Sequence, residues 1–126
     1  MYLVPIEKNC LSFDFSGKSY SFSAGFSFSN SGALFSNVKK LVVVCHDSSN
    51  KAYSWVGKIF DLNGTVVQVI PFPDFSNRTA GLEYMFWGVA ETDKGFRITF
   101  ASNSGKDEWH EFDITEKKYI KSHEAR

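Results

Sequence analysis

The sequence predicts an all-β fold, and three observations carry that prediction. From Tyr20 to Ser29, aromatic and small apolar residues (Tyr20, Phe22, Ala24, Phe26, Phe28) fall on even positions and serines on odd ones, with Gly25 between. That is a period of two, the signature of a strand with one buried face. Turn formers such as Ser16-Gly17, Asn30-Ser31-Gly32, Asn63-Gly64 and Asp93-Lys94-Gly95 recur along the chain, each the chemistry of a tight connection. No stretch of about a dozen residues shows helical periodicity. The expected architecture is one domain, residues 1–126, an antiparallel meander of about 8–10 strands. It forms a two-sheet sandwich or a partial-propeller-like arrangement, with a β-barrel as the alternative.

Taken in order, Tyr2 to Ile6 is limited by Pro5 to an edge strand or an irregular lead-in. Leu11 to Phe15 is a short strand, Ser16-Gly17 a turn, and Tyr20 to Ser29 the alternating strand. Ala33 to Phe35 is a further short strand. Leu41-Val42-Val43-Val44-Cys45 is apolar without alternation, which predicts a strand covered on both faces. His46 to Lys51 is a polar loop. Ala52 to Phe60 is a strand with Tyr53, Trp55 and Gly57 on one face. Asn63-Gly64, read as a two-residue turn in which both residues take positive φ, returns the chain through Thr65 to Ile70. Pro71 and Pro73 then open the longest irregular section, to about Gly81. Glu83 to Glu91, Phe96 to Ala101, Asp107 to Ile114 and Lys117 to Ile120 complete the strands.

One pattern occurs three times: Phe13-Asp14-Phe15-Ser16-Gly17-Lys18, Phe60-Asp61-Leu62-Asn63-Gly64-Thr65 and Phe112-Asp113-Ile114-Thr115-Glu116-Lys117. The spacings of 47 and 52 residues lie in the range of propeller blades. A closed propeller needs about four blades or more, so here the pattern is a plan of hairpins. The aspartate before each turn is placed to accept hydrogen bonds from turn amides. Its expected role is structural.

Several chemistries are disfavoured. The net charge is zero, without the basic excess of a nucleic-acid binder. His46, His110 and His123 share no metal-ligand spacing, and Cys10 and Cys45 are far apart in sequence. There is no phosphate loop opening a helix and no nucleophile elbow. Adjacent strand residues face opposite ways, which separates Cys45 from His46 and His110 from Glu111. No enzyme, cofactor or metal site is expected. Asn63-Gly64-Thr65 and Asn77-Arg78-Thr79 match the glycosylation acceptor pattern, which matters only in a secreted eukaryotic protein. Cys45 reads as a small buried hydrophobe. No signal-like segment opens the chain and no stretch is long enough to span a membrane, so a cytoplasmic protein is expected.

Charge is unevenly spread. Residues 1–79 carry +2, residues 80–116 carry −5 and residues 117–126 carry +3. The acidic block interleaves carboxylates with aromatics: Glu83, Tyr84, Trp87, Glu91, Asp93, Asp107, Glu108, Trp109 and Glu111. A solvated sheet face is the plain reading. The functional one is a surface for a basic partner, since complementary charge speeds encounter and aromatics anchor interfaces. Lys117, Lys118 and Lys121 follow, placed as edge-strand lysines that discourage aggregation.

From Lys39 onward the chain resembles several immunity proteins of bacterial contact-dependent growth inhibition systems. The likeness lies in an apolar strand, then an aromatic strand, then Phe60-Asp61-Leu62-Asn63-Gly64. Val66-Val67-Gln68-Val69-Ile70-Pro71 follows, and later the closing hairpin Phe112-Asp113-Ile114-Thr115-Glu116-Lys117-Lys118-Tyr119-Ile120. The resemblance implies a cytoplasmic protein, monomeric when free, that neutralises a cognate toxin domain by covering its active-site cleft. The toxin would be a basic nuclease, met by the acidic block, with no contact to nucleic acid or membrane. Alternative readings are a carbohydrate-binding β-sandwich module, which requires exposed tryptophan platforms, and an assembly piece of a propeller-like oligomer.

Overall fold

The computed structural model describes residues 2–3, 6–7, 10–23, 31–46, 55–73, 84–102, 105 and 107–125. Twelve strands lie within them: β1 (Tyr2–Leu3), β2 (Ile6–Glu7), β3 (Cys10–Phe15), β4 (Lys18–Ser23), β5 (Ser31–Ser36), β6 (Leu41–His46), β7 (Trp55–Phe60), β8 (Val66–Pro71), β9 (Tyr84–Glu91), β10 (Gly95–Ser102), β11 (Asp107–Asp113) and β12 (Lys118–Ala125). There is no helix among the described residues. Two strands of two residues each, β1 and β2, take the count past the expected range. The second half of the Tyr20 to Ser29 stretch, Tyr53 and the Asn77-Arg78-Thr79 triplet lie outside the described residues.

The strands form three antiparallel sheets, none closed into a barrel. The central sheet runs β1-β5-β6-β7-β8, the C-terminal sheet β12-β11-β10-β9 and the N-terminal sheet β2-β3-β4. The sandwich therefore has three layers where two were expected, and β6 shows why. Val43 and Cys45 point into one core with Leu34, Ile59, Ile70 and the C-terminal sheet's Phe86, Phe96, Ile98, Phe100 and Phe112. Val42 and Val44 point into a second core with Ala33, Phe35, Phe60 and the N-terminal sheet's Leu11 and Phe13. The unbroken run Val42–Cys45, fully buried at every position, is the sequence of a strand with a sheet on each side. Fully burying one such side chain contributes about 1.5–3 kcal/mol.

Each layer takes one copy of the repeated hairpin. Phe13, Phe60 and Phe112 are all buried, and one sits in each sheet. Phe13 stacks on Phe35 with ring centroids 4.8 Å apart, and Phe22 meets Phe60 at 5.1 Å. These aromatic contacts seal the N-terminal sheet to the central one.

The turns themselves differ. Ser16 and Gly17 both have positive φ, 53° and 77°, in a two-residue hairpin closed by the pair Phe15 and Lys18. At the second copy only Gly64 is left-handed, with φ 82°. Its amide donates to the Asp61 carbonyl, and the Asp61 amide donates to the Thr65 carbonyl. The loop is thus three residues, a type I turn closed by a left-handed glycine, where a two-residue Asn-Gly turn was expected. Asp61 explains the extra residue: its carboxylate accepts from the amides of Asn63 and Thr65 at 2.9 and 3.0 Å. At the third copy Lys117 carries the positive φ, 58°, and Asp113 accepts from the Thr115 and Glu116 amides. Asp14 accepts from the Ser19 hydroxyl on the facing strand.

Bulges re-aim four strands, among them β8, whose extra residue is Val67 because Ile59 pairs with Gln68 and Phe60 with Val66. β7 has one at Val56, since Trp55 pairs with Pro71 and Gly57 with Ile70. Trp55 therefore joins the second core while Gly57 faces Cys45 in the first; the two do not share the face expected for them. β12 has one at Ile120, and β9 has one at Trp87.

Candidate functional site

The C-terminal sheet is an outer layer, and its two faces have different chemistry. On β10, Phe96, Ile98 and Phe100 point inward, while Arg97, Thr99 and Ala101 point out. On β11, Glu108, His110 and Phe112 point inward, leaving Asp107, Trp109 and Glu111 outside. Register ties these together: Thr99 pairs with Trp109, and Arg97 with Glu111.

The bulge on β9 shapes the outer face. Phe86 faces the core opposite Phe100, and Gly88 pairs with Thr99. Trp87 is the extra residue between them, and 71% of it is exposed. A Cβ on Gly88 would meet nothing within 4 Å, so the surface beside the indole is open. Across β9, β10 and β11 the row reads Trp87 and Gly88, Thr99, Trp109. Strand spacing puts the two tryptophan positions roughly 10 Å apart. The Arg97 guanidinium lies over the Trp109 ring at 4.2 Å, a cation–π contact. Glu111, flanked by Arg97 on β10 and Lys121 on β12, is only 7% exposed.

The residues singled out in the sequence do not share one face. Trp87, Asp107, Trp109 and Glu111 lie on the outer face. Glu108 points the opposite way and is 3% exposed. Glu91 sits at the far end of β9, in an ion pair with Lys39 of 3.5 Å. Its carboxyl is held below the usual range by the Ser36 hydroxyl and by Lys39, against the opposing effect of burial. Asp93 is exposed in the adjoining turn and borders a hollow of about 480 Å3 with Lys39, Lys94 and Asp113. Glu83 lies outside the described residues, as does the side chain of Tyr84. The outer face carries Arg97 and Lys121 against Asp107 and Glu111, so it is mixed in sign where a uniformly acidic one was expected. Alternation along β11 turns Glu108 inward, and the neighbouring strands set Arg97 and Lys121 beside Glu111.

The inward face holds a pair that the sequence reading passed over. His110 Nε2 lies 2.7 Å from Glu108 Oε1, and both side chains are 3% exposed. Burial holds the imidazole below its ordinary pKa, and Glu108 opposes that shift. Phe100 and Tyr119 pack edge-on around the ring. A cavity of about 230 Å3 opens beside it, bordered by Tyr119, Lys121 and Ser122. The signal was present as Glu-x-His in a strand, a spacing that puts both groups on one face. Arg97 was also missed, because its importance comes from the cross-strand neighbour Trp109.

Tyr119 locks the layers together. Its hydroxyl donates to the Pro71 carbonyl at 2.5 Å, joining β12 to the end of β8. Burial, and then the nearby Cys45 thiol, raise the phenol's pKa. Burial likewise raises that of Cys45, so both stay neutral. Cys10 and Cys45 are free thiols. Among the described residues no group of three or more His, Cys, Asp or Glu could hold a metal ion, and no helix is long and apolar enough to cross a membrane.

No protein-family model matches the sequence, and searches of curated proteins and of solved structures return no match either.

Proposed function

We propose that the protein works by binding another macromolecule, as an immunity protein that covers a cognate toxin domain, and that the outer face of the C-terminal sheet is the contact surface. The observation that carries this reading is Trp87, an indole 71% exposed on a bulged strand. Burial against a partner is the plainest use for so large an apolar surface. Trp and Arg are the residues that dominate interface energies, and Arg97 with Trp109 supplies both a short distance away. A rigid sheet presents them with little ordering cost on binding.

The face also revises the proposed basis of recognition. With charges of both signs, it suits a partner held by aromatic anchors within a mixed polar rim, and a strongly basic nuclease cleft is not required. Co-expression with candidate toxin domains from the source genome is the test. Protection of growth by the native chain, lost in Trp87→Ala at equal soluble yield, is the expected result. Absence of protection by the native chain would refute the immunity role.

The exposed indole of Trp87 also favours a second reading, a carbohydrate-binding surface, because a flat ring open to solvent can stack on a sugar. Quenching of tryptophan fluorescence by soluble oligosaccharides, with no effect on growth, would select it.

A further inference from the structure

We infer that the partner seated on the outer face of the C-terminal sheet presents an acidic protein surface, with a carboxylate paired to Arg97; this deepens, and rests on, the contact surface proposed above. Directly paired strand residues share a face, so register sets the charges in two neighbouring rows. One runs Ala90, Arg97, Glu111 and Lys121, and the other sets Asp113 between Gly95 and Lys118. Exposure then divides the two signs. Glu111 is 7% exposed and Asp113 5%, and Asp113 is held by the amides of Thr115 and Glu116. Arg97, Lys118 and Lys121 are all exposed. Asp107, half-buried at the opposite end of β11, is the remaining carboxylate of the face among the described residues. In the turns that border the sheet, exposed Asp93 stands with Lys94 and exposed Glu116 with Lys117, so those pairs balance. The two signs are equal in number on the face, yet the charge offered to a partner is positive.

Arg97 is the central cation. Its guanidinium lies over the Trp109 ring, and among the described residues it makes no ion pair. Toward Trp87 its neighbours on β9 are Ala90 and Gly88, and a Cβ at Gly88 would meet nothing within 4 Å. A macromolecule that buries Trp87 therefore covers Arg97 as well. Covering an unpaired cation is unfavourable, because it loses water and gains nothing in return. A carboxylate restores the balance, and the guanidinium fork can hold it by two hydrogen bonds. Lys118 and Lys121 lie on the edge strand β12. At that rim their ammonium groups stay in water and speed encounter with an acidic surface. A nucleic-acid strand fits less well, since the chain's net charge is zero, without the basic excess such binders carry.

Magnetic resonance titration of the native chain tests this through the indole N–H signals of Trp87 and Trp109. The probes are a blocked hexapeptide of glutamates with two leucines, its lysine counterpart and an oligothymidylate of equal length. The acidic peptide should shift both indole signals and bind about fivefold or more tightly than either other probe. Arg97→Gln should weaken that binding about fivefold or more, and Arg97→Lys, which keeps the charge and loses the fork, should recover part of it. Arg97 is exposed, so circular dichroism should show the fold unchanged in both variants. Indole signals indifferent to the acidic peptide overturn the proposal. So does tighter binding of the lysine peptide or of the oligothymidylate, or an Arg97→Gln variant that binds the acidic peptide as the native chain does. Growth protection is a separate readout. A native chain that prefers the acidic peptide yet protects no cell refutes the immunity role alone, whereas protection without that preference refutes the acidic partner alone.

Discussion

His110 is a titratable group enclosed by rings, and its burial has a direct consequence for stability. Burial holds its folded pKa below the ordinary 6.5, with Glu108 opposing. Below about pH 6.5 the unfolded chain gains a proton that the folded chain does not, so stability falls as pH drops toward the folded pKa. Above that window the group contributes no slope. Glu91 and Asp113, also held low, act in the same direction, but only below their unfolded values near 4.5 and 3.8. Urea unfolding at pH 8 and pH 5.5 should therefore show a loss that His110→Gln removes; an undiminished loss in the variant would assign it elsewhere. Glu108 belongs to the same argument. Charge reversal at Glu108 would place an ammonium beside His110 inside the protein and test folding, so a surface test belongs at Trp87. Among the turn aspartates, Asp61 accepts two backbone amides, and Asp61→Ala should cost about 1 kcal/mol in urea unfolding.

At the scale of the hairpin, Gly64 shows how the layers depend on a turn. Its φ of 82° suits glycine, and a Cβ there would meet Phe22 of the N-terminal sheet at 2.8 Å. Gly64→Ala should destabilise by roughly 1–3 kcal/mol, from backbone strain and displaced packing together. Thermal unfolding checks this, with Gly88→Ala, which meets open space, as the mild control. This scale is where the sequence was most legible. The Tyr20 and Phe22 alternation, the unbroken Val42–Cys45 run and the Phe-Asp hairpins each state a local rule that the fold obeys. What could not be read was the consequence of a single inserted residue. The bulges at Val56, Val67, Trp87 and Ile120 depend on register against a partner strand, which leaves no mark in the strand's own period. For that reason Trp55 lost its assigned face, whereas the acidic block came apart at β11 by plain alternation, which turns Glu108 inward.

For the molecule as a whole, two cores share one central sheet, and the C-terminal layer is left with a fully outward face. The outer face was legible as residue types and hidden as an arrangement: Trp87 and Trp109 stood out, but their row through Thr99 required the order of β9, β10 and β11. That arrangement is the central claim, and the affinity of the Trp87→Ala variant for the cognate toxin domain measures it most directly. At matched circular dichroism, the account predicts a loss of about tenfold or more relative to the native chain, in the range of an interface anchor. An affinity equal to the native value would contradict it and move the contact surface away from this face.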